Sequence, residues 1–133
     1  MCGRYALNIS GEDLALEFAA GNANVALTPS NWNISPTTTI PFISESKNES
    51  VTREINLASW GLIPSWAKDS SRQANAINAR VETISEKPTF RSAFKSRRCL
   101  VPVSGYYEWA TELGRYRPKQ PFFISNKDNK TLA

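Results

Sequence analysis

The stretch Thr52–Trp60 constrains this chain more than any other. Ile55 and Leu57 fall on one side of an extended backbone, Glu54 and Asn56 on the other, and Gly61 and Pro64 break the pattern just beyond it. Successive side chains of a strand point to opposite faces, so strict alternation predicts a half-buried β-strand that needs strand partners. Candidate partners follow from short apolar runs bounded by turn residues: Arg4–Asn8, Ile40–Ser44, the apolar run Cys99–Val103, Tyr106–Ala110 after a bend at Ser104-Gly105, and Pro121–Ser125. Thr131 begins a further strand. Two short helices interrupt them. Ser10 is the N-cap of the first, with Asp13 three residues on; Leu14, Ala15 and Phe18 form its apolar face to about Ala20, and Gly21-Asn22 stops it. Pro88 sits near the start of the second, whose Phe90, Ala93 and Phe94 fall at helical spacing as a core stripe. Residues 21–38, with Pro29 and Pro36, read as a loop, 45–50 and 126–130 as turns, and 111–117 as a hairpin loop.

The 133 residues suit one domain, spanning 1–133, and 41% hydrophobic residues can bury one modest core. No apolar run is long enough to span a bilayer, and no basic region followed by an apolar stretch marks a secretory signal. An intracellular location is expected, cytoplasmic and at the nucleoid if the source is bacterial. The two cysteines, Cys2 and Cys99, are then expected as free thiols, with Cys99 a buried small hydrophobe in its apolar run. The net charge of +4 is uneven: residues 1–52 carry net −3, residues 53–119 net +6 and residues 120–133 net +1. A basic middle suits an anionic partner, nucleic acid first, although an ordinary basic surface has the same composition. There is no histidine. A Cys/His zinc site and a serine or cysteine nucleophile paired with histidine are therefore not expected, and acid–base work falls to carboxylates, lysine, tyrosine or the terminal amine.

The chain opens Met1-Cys2-Gly3-Arg4. Removal of Met1 leaves Cys2 with an α-amine and a thiol on adjacent carbons. Those groups titrate near ~7.7–8.0 and ~8.5, so each is partly nucleophilic at neutral pH. An aminothiol condenses with an aldehyde to an imine, and the thiol closes on it as a thiazolidine. A frayed, idle terminus is the ordinary alternative. In the loop after Trp60, two tryptophans stand beside Lys68 and Arg72; Trp60 ends a strand and belongs to the core, while Trp66 is a candidate for stacking on unpaired bases. Asn75–Thr83 mixes amide, cation and carboxylate with small residues, which suits a pocket wall more than a core strand, with a capped loop as the ordinary alternative. Glu108 shares its strand with Tyr106, Tyr107 and Trp109; if it points into a pocket, desolvation raises its pKa towards a useful range, and if it points outward it is an ordinary strand residue. Arg91, Lys95, Arg97 and Arg98 form a solvated face, with phosphate contact as the second use.

Taken in order, Met1-Cys2-Gly3-Arg4, Ser35-Pro36-Thr37, Trp60-Gly61-Leu62-Ile63-Pro64, Asn78-Ala79-Arg80-Val81-Glu82-Thr83 and Arg97–Pro102 through Gly105-Tyr106-Tyr107-Glu108-Trp109 resemble the SOS-response-associated peptidase (SRAP) family of abasic-site processing proteins. The resemblance runs over essentially the whole chain. It implies an α+β fold whose mixed, mainly antiparallel strands curl into a barrel-like core with a few short helices beside a DNA groove. It implies trapping of abasic sites in single-stranded DNA through a thiazolidine crosslink, with no cofactor or metal. By position, Cys2 is the nucleophile, Asn78 positions the terminus and sugar, and Glu108 is the acid–base group for imine formation and for release of Met1. Arg4 and Arg80 hold phosphates, Trp66 wedges or stacks, and Pro36 and Thr37 line the DNA.

The family also has a histidine motif towards its C-terminal end that this chain lacks, so the resemblance is to the first part of a member. Free strand edges in such a fragment favour self-association or pairing with the missing C-terminal part. Two other functions stay open beside the crosslinker: a cysteine-dependent peptidase acting on its own leader or on other chains, and a module that binds single strands reversibly.

Overall fold

The computed structural model describes residues 3–21, 30–46, 52–67, 76–110 and 119–133. Cys2, Lys68, Arg72, Asn75 and the expected hairpin loop 111–117 lie outside the described residues, as do parts of the expected loop after Gly21 and turn after Glu45. Among the described residues, six strands and two helices follow one another as β1 (Tyr5–Leu7), α1 (Gly11–Glu17), β2 (Asn31–Ile34), β3 (Thr39–Glu45), β4 (Arg53–Ser59), α2 (Arg91–Ser96), β5 (Gly105–Trp109) and β6 (Pro121–Ser125). The fold is α+β with antiparallel pairing between the strands. One sheet has the order β2-β1-β5-β6, and β3 and β4 form a second. The expected barrel-like closure is not seen: among the described residues the two sheets remain open.

The alternation that opens the sequence pairs as a regular hairpin, from Thr39 opposite Ser59 to Glu45 opposite Arg53. Ile43 and Ile55 face each other across it, fully buried, and α1 lays Leu14 and Ala15 on them. Ser10 caps that helix in both directions. Its hydroxyl accepts from the Asp13 amide at 3.0 Å and donates to the Asp13 carboxylate at 2.7 Å, offsetting an amide that the first turn leaves unpaired. The helix stops sooner than its apolar face suggests, at Glu17, with Ala19 in the left-handed region at φ 49°. Gly21 then donates to the Arg53 carbonyl at 2.7 Å, and the Arg53 guanidinium holds the Phe18 carbonyl at 2.8 Å. Glu17 accepts from both the amide and the hydroxyl of Thr131, tying the last described segment to α1.

A second cluster holds Tyr5, Leu7, Ile34 and Ile40, with Trp60, Val101, Val103 and Tyr106 packed around it; Ile9 touches both clusters. Trp60 is a core residue, its ring edge-on to Tyr5 at 5.3 Å. Each fully buried Leu or Ile contributes about 1.5–3 kcal/mol of burial, so Leu7, Leu14, Ile43 and Ile55 mark the two stable centres.

Four expectations are corrected. The polar segment 21–38 contains a strand: β2 pairs with β1 across a bulge, with Ile34 opposite Tyr5 and Asn31 opposite Leu7. Residues 99–103 form no strand. Pro102 has no amide to give a ladder, and the segment touches its neighbours through two single bridges, Leu100 to Ile43 and Val103 to Leu132. Cys99 is exposed there, not buried. Finally, α2 buries none of its residues fully, so Phe90, Ala93 and Phe94 are half-buried rather than a closed core stripe.

Gly105 is where β5 begins, opposite Ser125 of β6. A Cβ at this position would run into the Phe123 ring and lie 2.7 Å from the Ile124 carbonyl oxygen. The residue is thus a close-approach glycine, covered by an aromatic ring from the neighbouring strand. Gly105→Ala is expected to lower stability by about 1–3 kcal/mol in urea unfolding; unchanged stability would contradict this packing.

Candidate functional site

The strand order decides which motifs meet. β1 runs antiparallel to both neighbours. Beyond Tyr5 towards its N-terminal end, β2 therefore leads to Ser35-Pro36-Thr37 and β5 leads to Glu108 and Trp109. The described bonds agree: Tyr107 donates its amide to the Arg4 carbonyl at 2.9 Å, one residue from Glu108 and one from Gly3. Among the described residues, a Cβ at Gly3 would meet nothing within 4 Å. Glu108 is half-buried, opposite Phe122 of β6 and on the same side of β5 as Tyr106.

The Ser35–Thr38 turn sits at this same end. Thr38 donates to the Ser35 carbonyl at 3.2 Å, Pro36 takes the first corner, and Thr37 the second with φ 70°. That is the position where a turn of this kind ordinarily takes glycine or asparagine, and a β-branched residue is strained there. The end of β4 holds it in place. Thr37 donates to the Trp60 carbonyl at 2.9 Å, Trp60 donates to the Thr38 carbonyl at 2.9 Å, and the Ser59 hydroxyl donates to the Thr37 carbonyl at 2.8 Å. The Thr37 side chain faces solvent. Strain of this kind costs of order 1–3 kcal/mol and clusters at working sites.

From Trp60 the chain reaches the remaining motif residues. Leu62 donates to the Ala76 carbonyl at 3.1 Å, which anchors the segment carrying Asn78 and Arg80, both exposed. Trp66 is 53% exposed, and its indole approaches the Pro88 carbonyl at 3.5 Å. Arg4 is half-buried, with one guanidinium nitrogen donating to the Asn33 side chain at 2.7 Å; a guanidinium has further donors for a phosphate.

An aromatic group absent from the sequence reading lies beside Arg4. Trp32, 54% exposed, stands 6.1 Å from the Phe123 ring, and Phe123 stands 5.0 Å from Tyr107. The Tyr107 hydroxyl donates to the Trp32 carbonyl at 2.9 Å and fixes the group across β2, β1 and β5. Trp109 is exposed at the same end of β5. The available signal was a lone tryptophan between two asparagines in an otherwise polar stretch.

Cys99 does not join this end. It lines a cleft of about 240 Å³ with Ile43, Glu45, Arg53 and Arg98, well down the β3–β4 hairpin. Although the residue presents surface to solvent, the atoms packed around its sulfur desolvate the thiolate and push the thiol pKa up. Among the described residues no group of three or more Cys, Asp or Glu side chains could hold a metal, and no helix is long and apolar enough to cross a membrane.

The SOS response associated peptidase (SRAP) family model matches residues 1–133 in full. The chain belongs to that family. An SRAP relative, the abasic site processing protein YoqW of Bacillus subtilis, is 37% identical over 139 residues, covering all of this chain and 58% of its own length. The abasic site processing protein HMCES of Rattus norvegicus is 37% identical over 110 residues, 76% of this chain and 31% of its own. A crystal structure of a protein from Bacteroides thetaiotaomicron superposes with a TM-score of 0.79 at 26% identity, over 98% of this chain and 56% of that one. The chain thus spans 58% of the length of YoqW, 31% of that of HMCES and 56% of the Bacteroides thetaiotaomicron structure.

Thr37→Gly is expected to stabilise the fold by roughly 1 kcal/mol in urea unfolding, through relief of the left-handed strain; a loss of stability would show that the threonine is favourable there. In a Cys2→Ala background, alkylation of Cys99 is expected to rise with pH through a midpoint above that of free cysteine, because a raised pKa leaves less thiolate at neutral pH. A midpoint below it would contradict the desolvated thiol.

Proposed function

We propose that this chain processes abasic sites in single-stranded DNA, and that Cys2, once Met1 is removed, forms a thiazolidine with the ring-opened sugar. The observation that supports this most is the β1–β5 register: the bond from the Tyr107 amide to the Arg4 carbonyl brings the strand that follows Cys2 alongside Glu108. The names of the SRAP relatives, as abasic site processing proteins, point the same way.

The chemistry then runs as follows. Hydrolysis of the Met1–Cys2 peptide bond consumes one water and frees the amine. The neutral amine adds to the C1 aldehyde to give a carbinolamine. Glu108 supplies the proton with which the hydroxyl leaves as water, and the imine results. The Cys2 sulfur adds to the imine carbon, its proton ends on nitrogen, and the five-membered ring closes. Asn78 orients the terminus and the sugar. Arg4 and Arg80 hold the phosphates on either side, Pro36 and Thr37 border the strand, and Trp66 stacks where a base is missing. Such contacts need no base edge, which suits a lesion that has none to read. The exposed Trp32, next to the Asn33 that Arg4 holds, adds a second stacking surface.

Incubation with a single strand carrying one abasic site should give a heat- and denaturant-resistant shift on a gel. Cys2→Ala should abolish the shift, and Glu108→Gln should slow its formation by roughly 10²-fold or more. A reversible, salt-sensitive complex with no covalent product would favour a binding module. Cleavage of added peptides would favour a peptidase, and a shift that survives Cys2→Ala would contradict the assignment.

A further inference from the structure

Between Lys87 and Arg98 the chain places five cations, Lys87, Arg91, Lys95, Arg97 and Arg98, and no carboxylate. All five are exposed, and none makes an ion pair with the described residues. Arg91 and Lys95 lie four residues apart on α2, so they stack on one face with Cβ atoms about 5–6 Å apart. Together with Ser85, Ser92 and Phe94 they line a cleft of about 510 Å³. Arg98 is held with its guanidinium 5.0 Å from the centre of the Phe94 ring. A helix that buries none of its residues fully and carries mutually repelling charges gains most from an anionic partner.

The position of this surface names the partner. Trp66, the proposed stacking residue, has its indole against the Pro88 carbonyl, at the entrance to the basic segment. We infer that Lys87–Arg98 is a phosphate-binding track for the DNA single strand flanking the reacting nucleotide, continuing from Trp66 along the Arg91–Lys95 face. This inference rests on the reading that the partner is single-stranded DNA. Spaced cations and two serine hydroxyls, with no amide or carboxylate lining the cleft, suit a phosphodiester backbone and read no sequence.

The test uses intact single strands of eight and twenty nucleotides, bound at several salt concentrations, and an abasic eight-mer for crosslinking. Arg91→Gln/Lys95→Gln is expected to weaken twenty-mer binding roughly tenfold and to reduce the slope of log K against log salt by about 1.4, from two lost phosphate contacts at ~0.7 each. Eight-mer crosslinking should keep its wild-type yield. If that variant does not fold, Lys87→Gln/Arg97→Gln, outside the helix, carries the same expectation. The inference is overturned if the variant binds the twenty-mer with wild-type affinity and slope, if the wild type gains nothing from the longer strand, or if only duplex binding suffers. Failure of crosslinking in the wild type, with the length and salt effects intact, would instead count against the thiazolidine reading alone.

Discussion

β1 is three residues long and lies inside a four-stranded sheet, with β2 on one side and β5 on the other. So short a strand keeps its place because Tyr5, Ala6 and Leu7 are all buried, and because Ser104 and Tyr107 close bonds of 2.8 and 2.9 Å to the Ala6 and Arg4 carbonyls. The β5 side of that pairing depends on Gly105, over which the Phe123 ring lies. Burial on one side and backbone bonding on the other fix where the N-terminal strand emerges. Since β2 and β5 both run antiparallel to β1, their C-terminal ends emerge there too, with Pro36-Thr37 on one and Glu108 on the other.

That convergence gives an otherwise plain basic chain a site with distinct parts. The core ends at Tyr5, Ile34 and Tyr106. Past it come a half-buried carboxylate, a strained turn locked to Trp60, and the exposed Trp109. Under the proposed function, aromatic stacking is worth roughly 1–3 kcal/mol per base and charge gives a salt-dependent hold on the backbone. Cys99, though exposed, sits on another part of the fold, and its thiol pKa is raised by desolvation.

Much of the fold is legible in the sequence because it rests on local patterns. The β3–β4 hairpin follows from alternation, α1 from Ser10 and the Leu14–Ala15 face, β5 and β6 from aromatic runs between turn residues. β2 is not legible, since only Ile34 of its four residues is buried and its strand character comes from pairing with β1. The run Cys99–Val103 misleads in the other direction: it is apolar enough for a strand, yet Pro102 interrupts any ladder and Leu100 stays 41% exposed. Motif resemblance names Pro36, Asn78, Arg80 and Glu108, but their relative placement depends on strand order between segments up to a hundred residues apart. Trp32 escapes both routes, because its exposure beside Arg4 exists only once the bulged β1–β2 pairing has formed.

The proposed chemistry needs a terminal aminothiol, at the head of β1, to meet a carboxylate on β5. The most direct measurement is tandem mass spectrometry of the protein after reaction with an abasic single strand and nuclease trimming. One adduct is expected, on the N-terminal peptide, at Cys2, with Met1 absent and one water lost in the condensation. An adduct on a lysine or on Cys99, or on a chain that retains Met1, would contradict it.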